Sequence, residues 1–377
     1  MRLLMVSGDR QVAVGERGPF HSMQREFSRY FERVDVLCPR PPGAVTVRTI
    51  HDNVYFHPAD VGRRGMVRYI AAKGGELLKR HGHGLIVSHD YGWFYNGVGS
   101  AHLSREHGVP YLSEIHHVPG VPVATGMRER FDKWCARVYV RWARGRALAF
   151  RVVNATEMPA LLTRWGVPPA KVLILPSLYI DLEVFHPAEP AVEADRDLVF
   201  VGRMVANKGV TRILDAMAVL GREGRPVSGL FVGKGPLAAS LQRRAQDLGV
   251  AARFVEWVDS PRELAEIYRR SRVCVCASTC EGGPRFTVEA MACGTPVVST
   301  PVGVMTELVG DGRAGRLGGF DPHSLARQIG DVLRDEELRR EMGRHAATVA
   351  EPFEYARAIG AYANGLRVLA GEEAIRP

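Results

Sequence analysis

The sequence predicts an α/β protein with two Rossmann-like, doubly wound domains that face a central cleft. The first observation is length, since 377 residues are too many for one ordinary hydrophobic core. The second is a rhythm in which short apolar runs alternate with longer amphipathic segments, as in parallel sheets covered by helices. The third is that this rhythm stops near residue 186 and restarts near residue 198.

The first half of the chain contains strand-like runs separated by helical sequence. They are RLLMVSG (2–8), VDVLCP (34–39), GLIVSHD (84–90), VPYLSEIHH (109–117), RVVNAT (151–156) and KVLILPS (171–177). The next segment, HPAEPAVEADRD (186–197), lacks periodicity and is rich in Pro, Ala and acids. It therefore predicts a linker, and residues 1–185 are assigned to the first domain.

The second half repeats the pattern at similar size. Its strand-like runs are DLVFVGR (197–203), VSGLFVGKG (227–235), ARFVEWV (252–258), RVCVCAS (272–278) and PVVSTP (296–301). We assign residues 198–359 to the second domain. A C-terminal helix over about 360–377 is a candidate to pack back on the first domain.

The net positive charge is confined to the first half of the chain. Residues 1–186 carry 25 Lys and Arg against 16 Asp and Glu, whereas residues 187–377 carry 25 of each. The excess predicts an anionic partner for the first domain. We expect no nucleic acid there, because no recognised nucleic-acid-reading motif occurs.

A basic amphipathic segment, MRERFDKWCARVYVRWARGRAL (127–148), is the candidate contact for an anionic membrane surface. One helical face would carry Arg130, Lys133, Arg137, Arg141 and Arg144, and another would carry Phe131, Trp134, Val138 and Trp142. The alternative is a helix that packs its apolar face into the core and leaves a solvated basic face.

Localisation is predicted from the cysteines and the N-terminus. Six cysteines in a chain of this length do not indicate a disulfide framework, which favours a reducing compartment. The start, MRLLMVSG, is interpreted as a strand and not as a signal peptide. The prediction is a cytoplasmic protein, with peripheral association at the inner face of the membrane as an extension of it.

Ligands of open parallel sheets lie beyond the carboxyl ends of the strands, so the residues there are the candidates for a site. Arg203 and Lys208 follow one strand and suit a phosphate-rich ligand. Gly233-x-Gly235-x-x-Ala238 follows the next and loosely matches a dinucleotide-binding motif. The acids of Asp195-Arg196-Asp197 lead into a strand instead of following one, so we predict no metal site there.

The stretch CEGGPRFTVEAMACGTPVV (280–298) combines several features at one strand-to-helix junction. Glu281 and Glu289 are eight residues apart. Gly282 and Gly283 allow close backbone approach of a ligand, and Pro284 is suited to a helix start. The amides of the first helical turn favour an anion. Carboxylates beside such a site indicate a ligand with phosphate and polyol parts.

Three stretches of the second half resemble the retaining glycosyltransferases of the GT-B fold, in the family-4 group (glycosyl transferases group 1). They are FVGRMVANKG, FVGKGP and ASTCEGGPRFTVEAMACGTPVVSTPVGVMTELV. GVPPAKVLILPSLYIDLEVFHP is similar to the stretch before that family's linker. The resemblance covers most of the chain and is strongest over 198–312, where the Glu-x7-Glu spacing is specific.

The resemblance implies roles in the second domain, which would bind a nucleotide-diphosphate sugar. Glu281 would bind hydroxyls of the donor sugar and count as catalytic, and Glu289 would bind the ribose. Arg203 and Lys208 would neutralise the diphosphate. The further donor-binding residues implied here are Gly233, Trp257, Val258, Gly283, Arg285, Phe286 and Thr287.

The first domain would then be the acceptor side. Gly15 and Gly18 would lie near the diphosphate from across the cleft, and His116 would be the catalytic histidine near the reacting carbon. His117 is the weaker candidate, since neighbours on a strand point to opposite faces. Residues such as His89 are interpreted as structural or solvent-facing.

The family likeness implies transfer to a hydroxyl with retention, by same-face attack in which the departing phosphate assists deprotonation. No cofactor or metal is required. A carbohydrate or lipid-linked acceptor, in glycolipid or cell-surface polysaccharide synthesis, is expected. The sequence departs from the family at Gly283-Pro284-Arg285, where many members have a Phe-Gly-Leu-like run, which leaves the donor open.

Three alternatives remain at this point. A GT-B-like sugar-nucleotide epimerase would bind the same ligands, and a non-catalytic sugar-nucleotide-binding subunit would share the fold. An oxidoreductase would rest on Gly233-x-Gly235 alone.

Overall fold

The computed structural model describes residues 1–176, 178–190 and 192–376. Ser177, at the end of a predicted strand run, Ala191, in the predicted linker, and Pro377, in the predicted terminal helix, lie outside the described residues.

The first sheet is built from the N-terminal half of the chain. Within the described residues its strands are β1 (Arg2–Val6), β2 (Arg33–Cys38), β3 (Thr49–Ile50), β4 (Val54–Pro58), β5 (Leu85–His89), β6 (Tyr111–Glu114), β7 (Ala149–Val152) and β8 (Val172–Ile174). They are ordered β3-β4-β2-β1-β5-β6-β7-β8, and every neighbouring pair is parallel except β3 and β4. The order reverses between β1 and β5, which places a switch point at the carboxyl ends of these two strands.

Within the described residues, five helices from the N-terminal half of the chain cover this sheet. They are α1 (Pro19–Tyr30), α2 (Met66–His81), α3 (Tyr95–His107), α4 (Met127–Ala143) and α5 (Glu157–Arg164). Apolar side chains fill both faces of the sheet, as a parallel sheet requires.

The second sheet has the order β11-β10-β9-β12-β13-β14, and all its pairs are parallel. Its strands are β9 (Arg196–Val201), β10 (Ser228–Val232), β11 (Ala251–Val255), β12 (Ser271–Cys276), β13 (Val297–Ser299) and β14 (Gly315–Leu317). The accompanying helices are α6 (Val210–Arg222), α7 (Ala238–Asp247), α8 (Pro261–Arg269), α9 (Arg285–Ala292), α10 (Met305–Leu308), α11 (Pro322–Arg334) and α12 (Glu336–Ala350). The predicted class of two doubly wound parallel sheets is confirmed.

The last helix, α13 (Tyr355–Leu369), returns to the first domain. Its buried residues Ile359, Tyr362 and Leu366 belong to the same core as Phe27 of α1. The helix begins before the predicted residue 360 because Glu354 accepts hydrogen bonds from the first amides of the turn. The helix ends at Leu369 and residues 371–376 are not helical, so it is shorter than the predicted range of about 360–377.

Three strands were not predicted: β3, β4 and β14. β3 and β14 have only two and three residues, which is too short for a periodicity to show. β4 ends at Pro58 and carries His57, and it is a strand because it pairs with β2 on one side and β3 on the other.

The described residues include no helix with the length and apolarity needed to cross a bilayer.

Close backbone contacts between the loops after β9, β10 and β12 require glycine. Gly209 has a φ of +68°, and a Cβ built on it would lie 2.0 Å from the carbonyl oxygen of Ala277. Gly233 has a φ of +139°, and a Cβ there would lie 2.0 Å from the carbonyl oxygen of Gly202. A side chain at either position would force these loops of the second domain apart.

Replacing Gly209 by alanine should destabilise the second domain more than the same change at Gly249. Both residues have similar positive φ values, +68° and +64°, but a Cβ on Gly249 meets no atom within 4 Å. The strain of a left-handed alanine, about 1–2 kcal/mol, is common to both variants. Urea unfolding should therefore give a lower midpoint for Gly209→Ala than for Gly249→Ala. Equal midpoints would contradict the proposed contact.

Candidate functional site

The switch point of the second sheet brings together residues from two strand ends. Lys208 lies in a single helical turn after β9, and Glu281 lies in the loop after β12. Their side chains form an ion pair between Lys208 Nζ and Glu281 Oε1, and both are largely buried, at 15% and 13% exposure. Arg203, also after β9, is exposed and has no ion pair among the described residues. Two cations and one carboxylate therefore share this edge.

Glu289 lies within the first two turns of α9 and is nearly buried. Its Oε1 accepts a hydrogen bond of 2.9 Å from Arg285 Nε, and its Oε2 accepts one of 3.2 Å from the Tyr268 hydroxyl. Burial raises the pKa of Glu289, and the Arg285 charge and the Tyr268 hydroxyl oppose that rise. The Arg285 guanidinium also lies 5.3 Å from the ring centre of Tyr179. Glu289 is thus held by two donors, one of them charged.

The side chains of Phe286 and Thr287, in the first turn of α9, are buried within the second domain. Phe286 packs against Phe200 with ring centres 5.5 Å apart, and Thr287 is fully buried with its hydroxyl bonded to the carbonyl of Pro284. No side chain caps the helix. A contact of Phe286 with a ligand would come from its backbone amide in the first turn, whereas the Thr287 amide already donates to the carbonyl of Pro284 at 3.1 Å.

The loops after β10 and β11 border the same edge. Gly233 is needed for its contact with Gly202, and a Cβ on Gly235 would lie 2.4 Å from the carbonyl oxygen of Met204. The Gly-x-Gly pattern is thus explained by loop packing without any dinucleotide. Trp257, after β11, is 70% exposed, and Val258 is half-buried beside it.

The first domain contributes a cavity of about 290 Å³ at the carboxyl edge of its sheet. His116, just after β6, lines it together with His89 and Glu114. Gly15 and Gly18 lie in the loop between β1 and α1, where Gly15 has a φ of +89° and Gly18 precedes the first turn of α1.

The two edges meet across the cleft through backbone. A Cβ on Gly282 would lie 2.7 Å from the carbonyl oxygen of His116. The Cys280 thiol donates a hydrogen bond of 3.2 Å to the carbonyl oxygen of Val118. The chain neighbours of Glu281 therefore touch those of His116, which brings the two predicted catalytic residues to facing sides of one cleft.

Sequence reasoning missed a group of residues behind His116. His89, interpreted as structural or solvent-facing, lines the cavity, and burial lowers its pKa to about 4. The buried carboxylate of Glu114 lies 3.2 Å from His89 and 3.6 Å from His116. The one available signal was the spacing of Glu114 and His116, since residues two apart on a strand share a face. Tyr362, 248 residues from Glu114, gave no signal.

The acids at the linker's end are used structurally. Asp195 pairs with Arg196 at 2.6 Å, and Asp197 accepts hydrogen bonds from the amide and hydroxyl of Ser228. The described residues contain no group of three or more His, Cys, Asp or Glu side chains arranged to hold a metal ion.

Two carboxylates beside the cleft make contacts from one domain to the other. Glu307, on α10, accepts hydrogen bonds from the amides of Ala155 and Thr156, at 2.6 and 3.1 Å, which precede α5. Glu157, the first residue of α5, faces the amide of Gly303. Burial raises the pKa of Glu157 to about 7, because the single amide only partly compensates for lost solvation. These contacts hold α5 against the second domain.

The raised pKa of Glu157 predicts a pH-dependent stability. In the unfolded chain the carboxyl ionises near pH 4.5, whereas in the fold it stays protonated until about pH 7. Stability contributed by this group is complete below pH 4.5 and is lost as the pH rises to about 7. Glu157→Gln should therefore be more stable than the parent above pH 7, by about 1–3 kcal/mol, in urea titrations at several pH values. The exposed Glu337→Gln serves as control, and identical pH profiles for Glu157→Gln and the parent would contradict the assignment.

Two family profiles match the chain in succession. The one described as "Glycosyl transferase 4-like domain" matches residues 20–177, and "Glycosyl transferases group 1" matches residues 181–349.

Curated relatives cover most of the chain. An alpha-maltose-1-phosphate synthase of Mycolicibacterium smegmatis is 27% identical over 337 residues, which are 82% of this chain and 84% of the relative. A D-inositol 3-phosphate glycosyltransferase of Paenarthrobacter aurescens is 31% identical over 292 residues, which are 71% of this chain and 69% of the relative.

Solved structures share the fold over nearly the whole length. A sucrose-phosphate synthase from Thermosynechococcus elongatus superposes with a TM-score of 0.76 at 22% identity, covering 95% of this chain and 96% of its own. HepE from Anabaena, solved in complex with UDP and glucose, superposes with a TM-score of 0.74 at 20% identity, covering 97% and 99%. The expected resemblance is confirmed: the chain belongs to the glycosyl transferases group 1 family and is a glycosyltransferase of the GT-B fold.

Proposed function

We propose that this glycosyltransferase moves a sugar from a nucleotide-diphosphate donor to a hydroxyl acceptor, with retention of anomeric configuration. The observation that carries the proposal is the largely buried Lys208–Glu281 pair at the switch point, across the cleft from His116. The Anabaena relative in the fold, HepE, was solved with UDP and with UDP-glucose, which supports a donor of this class.

The second domain provides positive charge that can stabilise the departing diphosphate. Transfer from such a donor builds negative charge on the departing diphosphate. Arg203, Lys208 and the first-turn amides of α9 lie at the edge where that charge would develop. Fixed donors of this kind stabilise the transition state more than the ground state. We propose that these groups make a metal ion unnecessary, so that chelators should leave turnover intact.

When the donor binds, Glu281 and Glu289 would each gain a hydroxyl of the donor as a hydrogen-bond partner. Lys208 would turn from Glu281 toward phosphate, and Glu281 would accept hydrogen bonds from sugar hydroxyls. Glu289 would bind the ribose while keeping the Tyr268 hydroxyl as its second donor. His116 would orient the donor from the other side of the cleft. With no separate nucleophile invoked, attack on the same face as the leaving phosphate accounts for retention.

Substitutions of the two acids should separate binding from turnover. Glu289→Ala should raise the Kd for the nucleoside diphosphate by about tenfold or more, because a buried charged hydrogen-bond partner is lost. Glu281→Ala should lower kcat on the order of 100-fold with a smaller change in Kd. Calorimetric titration and a transfer assay would measure the two effects. The exposed Glu223→Ala is the matched control. Parent-like binding and turnover in both variants would refute these roles.

His116→Ala should change turnover alone. Its imidazole lines the cavity of the first domain, and the cations and amides assigned to the nucleotide are not among the residues that line this cavity. Kd for the nucleoside diphosphate should stay within about twofold while kcat falls on the order of 100-fold. A matched loss of nucleotide affinity would instead place His116 in nucleotide binding.

We further propose that the acceptor is lipid-linked and that the first domain docks on an anionic membrane at the inner face. The apolar face of α4 is not packed in the core. Phe131, Trp134 and Val138 are 49–59% exposed, while Ala136, Tyr139, Val140 and Ala143 make the buried face. Trp142, predicted on the apolar face, is half-buried and lies under Arg146.

Exposed apolar side chains lie on and beside α4, and we call them the aromatic patch, defined as Trp93, Met127, Phe131, Trp134 and Val138. Trp93 contacts Phe131 edge-on, with ring centres 6.4 Å apart, and Phe131 stacks on Trp134 at 5.8 Å. Arg130 and Arg137 are exposed on the same helix. Aromatic side chains next to arginines match the interface of an anionic bilayer, where apolar burial and charge attraction add. Membrane docking at this face would support a role in glycolipid or cell-surface polysaccharide synthesis.

Vesicle binding tests the aromatic patch. The parent protein should sediment with phosphatidylcholine vesicles that contain phosphatidylglycerol and much less with phosphatidylcholine alone. Arg130→Gln with Arg137→Gln should weaken binding by roughly 30-fold, since each surface cation contributes about 1 kcal/mol. Phe131→Ser with Trp134→Ser should weaken it as well, whereas Val368→Ser, a 60% exposed apolar residue on α13, should not. No binding to either vesicle would end the membrane proposal.

A further inference from the structure

His89, Glu114 and Arg151 form one row across the first sheet. They are register partners on β5, β6 and β7, so their side chains share one face at the carboxyl edge. Glu114 and Arg151 are buried, at 0% and 1% exposure, and pair at 3.0 Å between Oε1 and a guanidinium nitrogen. This ion pair lies beside His89 and His116, two of the three histidines that line the cavity.

The two oxygens of the Glu114 carboxylate differ in their polar partners. Oε1 forms the ion pair with Arg151 and accepts a hydrogen bond from the hydroxyl of Tyr362 on α13. Oε2 is buried and has no hydrogen bond of good geometry among the described residues. His89 Nε2 lies 3.2 Å from Oε2, and His116 Nε2 lies 3.6 Å from it. The first distance is the shorter one, so a proton on His89 Nε2 would be the donor nearest to this oxygen.

Arg151 favours the tautomer of His116 in which Nε2 carries no proton. Its guanidinium donates to the carbonyl oxygens of Leu175 and Pro176, at 3.1 and 2.7 Å, and stacks over the Tyr362 ring at 3.6 Å. A guanidinium nitrogen lies 3.3 Å from His116 Nε2. Because arginine can only donate, the nitrogen that faces it must be the unprotonated one.

We propose that the Glu114–Arg151 pair, held by Tyr362 of the returning helix α13, fixes His89 and His116 in opposite neutral tautomers. His89 carries its proton on Nε2 and His116 carries its proton on Nδ1. Glu114, Arg151 and Tyr362 are thus positioning residues, since they act on the cleft through the two imidazoles.

These tautomers place one hydrogen-bond donor and one hydrogen-bond acceptor at the cleft. Both Nε2 atoms are directed to the buried ion pair, which leaves Nδ1 of each ring for a ligand. His116 then offers an N–H donor, and His89 offers a lone pair. His89 is neutral at pH 7 because burial lowers its pKa to about 4. A polyol hydroxyl both donates and accepts, so the two rings together select for such a group at the first-domain side of the cleft. This role rests on the proposed glycosyl transfer, whereas the tautomers themselves do not.

Nitrogen-15 NMR of the full-length parent protein tests the tautomers without substrate. At about pH 8, above the ordinary pKa of histidine, the shifts of Nδ1 and Nε2 distinguish the protonated nitrogen in each ring. Signals would be assigned by their loss in His89→Gln and His116→Gln. The expected result is an Nε2–H tautomer for His89 and an Nδ1–H tautomer for His116. The same tautomer in both rings, or an averaged signal for either, overturns the proposal.

Tyr362→Phe tests the link to α13 while leaving the ring over Arg151. Loss of one donor to Glu114 should lower kcat roughly tenfold, with the KM for the donor within about twofold, and should move the His89 and His116 nitrogen shifts. The control is Tyr355→Phe on the same helix, which loses a hydrogen bond to the carbonyl of Ser22 instead. Its kcat and histidine shifts should match the parent. Equal effects of the two variants, or none from Tyr362→Phe, contradict the positioning role.

The two proposals fail separately. A parent protein that transfers no sugar from any nucleoside-diphosphate donor refutes the proposed function, whatever its histidine spectra show. A parent that transfers sugar but has like tautomers refutes only the positioning role.

Discussion

The organisation of the cleft depends on the ion pair between Lys208 and Glu281 at the switch point of the second sheet. An unpaired charge largely removed from water is costly, so without a ligand each of these groups compensates the other. A ligand that separates them must replace both partners. Phosphate can do so for the ammonium, and a sugar hydroxyl can do so for the carboxylate. The pair therefore favours ligands that present both groups at once, as a nucleotide-diphosphate sugar does.

The pair can form only because three loops approach each other at backbone distance. Gly209 lies against Ala277, and Gly233 lies against Gly202, so the ends of β9, β10 and β12 converge. Across the cleft, Gly282 lies against the carbonyl of His116. The first domain meets this edge with an arrangement of different character. Its Glu114–Arg151 pair is fully buried and serves to orient imidazoles, whereas the Lys208–Glu281 pair remains partly accessible. The C-terminal helix α13 follows the second domain in the chain and returns to the first domain, where Tyr362 donates a hydrogen bond to Glu114.

The fold class and the family could be predicted from the sequence because their signals are local. Alternating apolar runs mark parallel strands, and the Glu281–Glu289 spacing lies within one junction. The short strands β3 and β14 carried too few residues to show a period. The pairing of Lys208 with Glu281 was not predicted either, since sequence alone does not show which opposite charges meet when the ligand is absent.

The contacts behind His116 were beyond sequence reasoning for a different reason. Glu114 and Arg151 read as ordinary strand residues, and their importance comes from the register of β6 and β7. Tyr362 reaches Glu114 from 248 residues away. On α4, periodicity separated a basic from an apolar face but could not tell which face is exposed. That depends on Tyr139 and Val140, which pack into the core in place of Phe131, Trp134 and Val138.

The most direct test of the central claim compares nucleoside diphosphates with their nucleosides in the parent and in Lys208→Met. Titration calorimetry with the UDP, GDP and ADP series would first identify the base that binds. If Lys208 holds the diphosphate, the variant should lose about tenfold or more in affinity for the diphosphate and almost none for the nucleoside. An unchanged preference for the diphosphate over the nucleoside in Lys208→Met would contradict the account.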